Sequence, residues 1–120
     1  MHRLIEDAQK IVGRTLLEGG VTWGANGEYG CKIYENGYAV GGVADCRVIG
    51  VERFSMGSVI EFVLNREWTV GDFLGTWIEE NMVYLDVSNI FSHETRAHEV
   101  ARERGEKEYY DFENGVGVRV

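Results

Sequence analysis

The segment His93-Glu94-Thr95-Arg96-Ala97-His98-Glu99 is the first place in the chain where residue types and spacing suggest chemistry. In a helical zinc-protease motif two histidines four apart share one face and hold a metal between them. Here His93 and His98 are five apart, roughly 140° around a helix, and cannot chelate one ion from it. Glu94, His98 and Arg102 follow one another at four-residue steps, which a surface ion-pair row explains. Cys31 and Cys46 are too widely spaced for a C-x-x-C pair, and no second pair completes a zinc site. They read as two reduced thiols, with a cross-strand disulfide as the alternative. Gly24, Gly27 and Gly30 have neither dinucleotide spacing nor the Lys-Ser/Thr of a phosphate loop, so they read as turn formers. No G-x-S-x-G elbow occurs, and among twenty carboxylates a chance pair carries no information. The residues therefore point to a non-enzyme with no catalytic residue, no metal site and no cofactor.

The elements that would position any site are legible from periodicity. Residues 3 to 18 form an amphipathic helix: Leu4, Ile5, Ala8, Ile11, Val12, Thr15 and Leu16 recur near a 3.6-residue period, and Gly19-Gly20 ends it. A β-meander follows over 21 to 51, built from Val21–Trp23, Cys31–Tyr34, Tyr38–Val43 and Arg47–Val51, with Asn26-Gly27 and Asn36-Gly37 as hairpin turns. Ser58 and Glu61 have the spacing of a capping box before the apolar run Val59 to Leu64 and Trp68, giving a short buried helix, or else a central strand. Phe73–Glu79 and Met82–Ser88 are two strands joined at Glu80-Asn81. Ser92 caps a helix running to Arg104, with Ala97, Val100 and Ala101 on its buried face and Gly105 at its end. Lys107–Phe112 and Val116–Val120 pair across Asn114-Gly115. The fold class is α+β: one domain over 1–120 with a mostly antiparallel sheet, ending in a β-β-α-β-β unit.

Several of these features carry a resemblance. Gly75-Thr76-Trp77, the run Val83-Tyr84-Leu85-Asp86-Val87-Ser88, a helix with spaced alanines, and a last hairpin with Tyr110-Asp111 and Asn114-Gly115 resemble the C-terminal part of small uncharacterised proteins of actinobacteria and their phages and plasmids. Asn36-Gly37-Tyr38-Ala39-Val40-Gly41 is similar too. What the resemblance implies is a context, a small mobile-element protein acting inside a bacterial cell.

Charge supplies the remaining signal. Proline is absent while glycine occurs sixteen times, so turns fall to Gly and Asn. The charged opening MHRLIEDAQK is unlike a secretory leader, and no run reaches the length of a membrane span; the expected location is the cytoplasm. Net charge is −8, with residues 72 to 120 carrying eleven acids against five bases. No basic stripe exists, which disfavours direct nucleic-acid binding. An acidic face can serve solubility alone. It can also steer toward a basic protein, in the manner of a nucleic-acid mimic. The leading expectation is a phage or mobile-element interaction protein, an inhibitor of the anti-CRISPR or anti-restriction kind, binding a basic host surface through Glu79, Glu80, Tyr84, Asp86, Glu106, Glu108, Tyr110, Asp111 and Glu113. The alternatives are a small enzyme or ligand-binding domain with a pocket around His93, His98 and the cysteines, and a domain that forms a homodimer through the edge strand Val116–Val120.

Overall fold

A computed structural model describes residues 2–24, 31–32, 37–69 and 71–120. The turn expected at Asn26-Gly27, the strand residues Ile33 and Tyr34, and Asn36 lie outside the described residues. The element order is α1 (His2–Glu18), β1 (Gly20–Gly24), β2 (Cys31–Lys32), β3 (Tyr38–Val40), β4 (Arg47–Gly50), α2 (Met56–Leu64), β5 (Phe73–Glu79), β6 (Met82–Phe91), α3 (Glu94–Glu103), β7 (Glu108–Asp111) and β8 (Val116–Arg119). The architecture is α+β, and every described strand pairing is antiparallel, in the order β2-β1-β5-β6-β3-β7-β8 with β4 also on β6. Among the described residues no helix is long and apolar enough to cross a membrane.

The ten-residue β6 organises the sheet. One of its edges is taken by β5, from Phe73↔Ser88 to Glu79↔Met82. The other edge is shared: β4 pairs with Met82 to Leu85 and β3 with Asn89 to Phe91. The four β runs of 21–51 thus pair mainly with later strands, because the apolar residues of β3 and β4 find their partners on β6. β3 also stops at Val40, since residues 41 to 46 leave the ladder to pass from one partner segment to the next.

Alternation places Leu74 and Thr76 of β5 on the same face as Val83, Leu85 and Val87 of β6. Helices α1 and α2 cover this face, burying Ala8, Ile11, Val59, Phe62 and Val63 against it. Helix α3 covers its continuation, with Ala97, Val100 and Ala101 packed on Val40 and Tyr109. The opposite face carries Trp77, Glu79, Tyr84, Asp86, Ala39 and Tyr110 and, among the described residues, no helix. Antiparallel sheets tolerate that arrangement, one side core and one side wet.

The helices differ from the sequence expectation in instructive ways. On α1 the buried line is Asp7, Ala8, Ile11 and Thr15, while Ile5 and Leu16 are exposed. Two polar residues hold that line down: Trp23 Nε1 donates to Asp7 Oδ2 at 3.0 Å, and the hydroxyls of Thr15 and Thr76 meet at 2.6 Å. A polar residue with a partner can be buried where an unpartnered one cannot. Helix α2 starts one turn before the expected Ser58. Ser55 is its N-cap, and Ser58 completes the capping box in place of Glu61. Glu61 instead accepts from Arg47 Nη1 at 2.8 Å. Helix α3 begins after His93 with no side-chain cap, because β6 runs on to Phe91 and puts Ser92 outside the capping position.

The β5–β6 turn falls at Glu80-Asn81 as expected, with φ of 51° and 65°. Both residues are left-handed, a conformation that suits Asn but costs a glutamate about 1–2 kcal/mol. Replacing the pair by Asn-Gly (Glu80→Asn, Asn81→Gly) should therefore stabilise the fold by about 1 kcal/mol. Urea denaturation checks this, and an unchanged midpoint would show that the turn is unstrained.

Candidate functional site

The break between β3 and β4 along β6 leaves backbone groups that the ladder cannot satisfy. Within a strand the N–H and C=O of one residue point to the same side, and those of Val87 point into the gap. Val43 N donates to Val87 O at 3.2 Å, and Val87 N donates to Asp86 Oδ1 at 2.8 Å. Asp86 Oδ2 accepts from Gly42 N at 3.2 Å. Asp86 is therefore a carboxylate lodged at the interruption, 5% exposed.

Arg104, at the C-terminal end of α3, closes the gap from the other side. Its Nη1 donates to Val40 O and Gly41 O (3.0 and 3.1 Å), and its Nη2 donates to Asn89 Oδ1 at 2.6 Å. Asn89 passes the link on through Nδ2 to Gly71 O and Asp72 Oδ1. Glu106 follows Gly105, whose φ of 72° turns the chain back over the Gly41-Gly42 bend. A Cβ on Gly41 would collide with Asp86 Oδ2 and stand 3.1 Å from Glu106 Oε1, so the bend requires glycine there. The two carboxylates consequently share one corner of the fold.

Beside them lies a recess of about 460 Å³ bounded by Gly42, Ala44, Asp45, Cys46, Trp77, Tyr84, Asp86, Arg104 and Glu106. The two-residue turn at Glu80-Asn81 pairs Trp77 with Tyr84, and their rings stack at 5.0 Å with 3° between planes. Trp77 remains 39% exposed. Gly20 of β1 stands opposite it, and Val48 of β4 stands opposite Tyr84, so the stack has an apolar flank and an open one.

Electrostatics follow from burial. Desolvation raises Asp86 above the usual carboxylate range, against the pull of its two backbone donors and of Arg66 and Arg104. Glu106 is raised too, by its own desolvation and by the charge of Asp86, with Arg104 opposing. The Cys46 thiol is pushed up to about 11, by desolvation first and then by Asp86 and Glu106. The sulfur is exposed, but the raised value disfavours its thiolate at neutral pH.

The expected contact residues separate into groups. Glu79 and Glu80 are exposed at the β5–β6 turn; Tyr84, Asp86 and Glu106 bound the recess. Glu108, Tyr110 and Glu113 are exposed on the terminal hairpin, Tyr110 packing edge-on against Phe112 at 5.2 Å. Asp111 is turned into its own hairpin: it accepts from the backbone of Glu113 and Asn114 and from Asn114 Nδ2. The Asn114 side chain above all holds it below the usual carboxylate range. Trp77, Arg104 and the Gly41-Gly42 bend were not anticipated as site residues; Cys46 was expected only in a pocket with His93 and His98, neither of which bounds this recess. Only Trp77 had a usable signal, its register opposite Tyr84.

The histidine and cysteine readings resolve separately. His98 packs edge-on to Tyr109 at 6.0 Å, and Glu94 accepts from Tyr109 Oη at 2.6 Å, so the Glu94–His98–Arg102 row gives way to packing. The surface pair in that segment is Arg96–Glu99 at 3.3 Å. Desolvation first, and then the hydrogen bond to Glu94, push Tyr109 up to about 12. Cys31 lies in β2 and Cys46 beside β4, with β1, β5 and β6 between them. At ~4.8 Å per strand step the separation is far beyond disulfide reach. Among the described residues no group of three His, Cys, Asp or Glu could hold a metal.

No family model, no curated protein and no solved structure matches the chain.

Two outcomes test this electrostatic picture. Asp86 and Glu106 hold protons more tightly folded than unfolded, so stability grows as pH falls through their raised folded values and is lost as pH rises through them. Glu106→Gln removes one of these groups and relaxes the other. Its stability should change less than the wild type's as pH falls from neutral into the acidic range; equal pH profiles in thermal melts would refute the coupling. In a Cys31→Ser background, Cys46 should react with iodoacetamide at pH 8 about a hundredfold more slowly than an ordinary thiol, given its value of about 11. Labelling at the rate of free cysteine would contradict it.

Proposed function

We propose that this protein is a small interaction protein whose helix-free sheet face receives a basic segment of a partner protein. The observation that carries the reading is the exposed Trp77–Tyr84 stack at the mouth of a recess that holds Asp86 and Glu106. Exposed aromatic residues beside carboxylates combine contact area with sign, which is how protein interfaces place their anchors. Glu79 and Glu80 extend the negative field at one end of this face, and Glu108 with Tyr110 extends it along β7. Complementary charge of that kind steers a basic partner and fixes its register.

In a mobile-element setting, which the sequence resemblance implies, capture of a basic host surface fits an anti-defence inhibitor of the anti-CRISPR or anti-restriction kind. The partner would be a host protein that normally presents that surface to nucleic acid, met in the bacterial cytoplasm. The mechanism needs no catalysis: occupying the basic surface is enough. The outer edge of β8 supports a second reading, self-association through strand pairing. The sheet ends there, and Val116 is exposed.

The test is binding of arginine- and lysine-rich peptides at physiological salt. Reversing Glu79, Glu80, Glu108 and Glu113 to Lys should weaken binding roughly tenfold or more, about what four exposed charge pairs contribute together. Reversing Glu18, Glu67, Glu99 and Glu103 alters net charge equally, away from the proposed face, and should leave binding closer to the wild type. Equal losses in the two variants would reduce the effect to net charge and overturn the reading.

A further inference from the structure

Resting on the reading above, we infer that the recess beside Trp77 and Tyr84 takes the side chain of one arginine from the partner protein. The recess is not merely acidic. Asp86 and Glu106 line it together with the stacked Trp77 and Tyr84, and its volume of about 460 Å³ is ample for a single long side chain.

The two carboxylates have capacity left over. Each oxygen of Asp86 accepts one backbone donor, leaving further lone pairs. Glu106 has no hydrogen-bond or ion-pair partner for its side chain among the described residues, although both its oxygens lie within 3.1 Å of the Cβ positions that Gly41 and Gly42 lack. The cations at hand are already committed. Arg104 gives its guanidinium to Val40 O, Gly41 O and Asn89 Oδ1. Arg66 donates to Asp45 O at 2.7 Å and lies over the Phe62 ring at 3.9 Å. Neither forms an ion pair with Asp86 or Glu106. Two adjacent carboxylates thus face the recess with no direct ion pair among the described residues; Arg104 and Arg66 offset their charge only at a distance, and desolvation outweighs that pull.

An arginine answers each feature. Its planar fork offers five donors, enough to bridge two neighbouring carboxylates at once. Guanidinium is also more weakly hydrated than ammonium, so it enters a partly desolvated recess at less cost than lysine. Its aliphatic stem can lie along the Trp77 and Tyr84 rings while the head reaches the carboxylates. An anionic ligand would meet Asp45, Asp86 and Glu106 with the only facing cations already in use.

The experiment is an amide and indole NMR titration of the full chain with blocked tripeptides Gly-Arg-Gly, Gly-Lys-Gly and Gly-citrulline-Gly. Saturable shifts at the Trp77 indole and at the Gly41, Gly42 and Ala44 amides are expected with the arginine peptide. Citrulline keeps the shape but loses the charge, and should bind roughly tenfold more weakly, the scale of one charge-assisted hydrogen bond. Lysine should fall between them. Glu106→Gln and Trp77→Ala should each weaken the arginine titration by several-fold, with Glu106→Gln folding normally because its side chain is half-exposed. Equal binding of arginine and citrulline, or an arginine titration indifferent to both variants, overturns the assignment. Should that happen while reversal of Glu79, Glu80, Glu108 and Glu113 still abolishes peptide capture, the wider reading stands and the arginine pocket alone falls.

Discussion

The structure turns on an unfinished strand edge. β6 is long enough to need two partners on one side, and β3 and β4 cannot meet end to end because the chain between them must travel from one to the other. At that interruption the N–H and C=O of Val87 are left without a ladder partner. Burying them unpaired would cost about 1–3 kcal/mol each. Asp86 supplies the missing acceptor from the same strand, and Val43 supplies the donor. Burial of an ionisable residue in the middle of a sheet is thus the consequence of a topological requirement.

Once a carboxylate is fixed there, its neighbours are constrained in turn. Gly41 and Gly42 are the only residue types that leave room for it and for Glu106 in one corner. Arg104 brings the end of α3 onto the same bend by donating to the carbonyls of Val40 and Gly41. Through Asn89 the same arginine reaches Gly71 and Asp72, where Asp72 Oδ2 accepts from Thr69 N and Oγ1. A single side chain thereby couples the α3 half of the fold to the turn that leads into β5. The recess between these parts is a by-product of joining two cores on one strand, and its aromatic wall comes from the wet face of the same hairpin.

What could be read beforehand was local. The Glu80-Asn81 turn, the alternation in Met82–Ser88 and the small-residue face of α3 are all written within a dozen residues, so the hairpin and the helix were legible together with the Trp77–Tyr84 pairing they imply. The capping of α2 is ambiguous in the sequence because Ser58 satisfies the spacing rule with Glu61 as well as with Ser55; in the structure Ser55 is the N-cap and Glu61 accepts from Arg47. Asp86 and Asp111 were read as contact residues on the strength of charge alone. Each is also a buried acceptor for backbone amides, Asp86 for Val87 and Gly42 and Asp111 for Glu113 and Asn114, and no composition rule signals which carboxylate a fold will use internally. The insertion of β3 between β6 and β7 is non-local, and with it the corner where residues 41, 86 and 106 meet.

That distinction bears on how acidity should be weighed. Of the carboxylates in the last forty-nine residues, those with structural work (Asp72, Asp86, Asp111, Glu94) are held by hydrogen bonds and contribute little to an outward field. Glu99 pairs with Arg96 on α3, whereas Glu79, Glu80, Glu106, Glu108 and Glu113 have no such partner among the described residues and lie on the turn, recess and hairpin. Surface charge left unpaired weakens a fold slightly through self-repulsion. Here the unpaired set gathers beside exposed Trp77 and Tyr110, which also lose by exposure. Two unfavourable tendencies, concentrated on one face, are reconciled when a basic and partly apolar surface covers both.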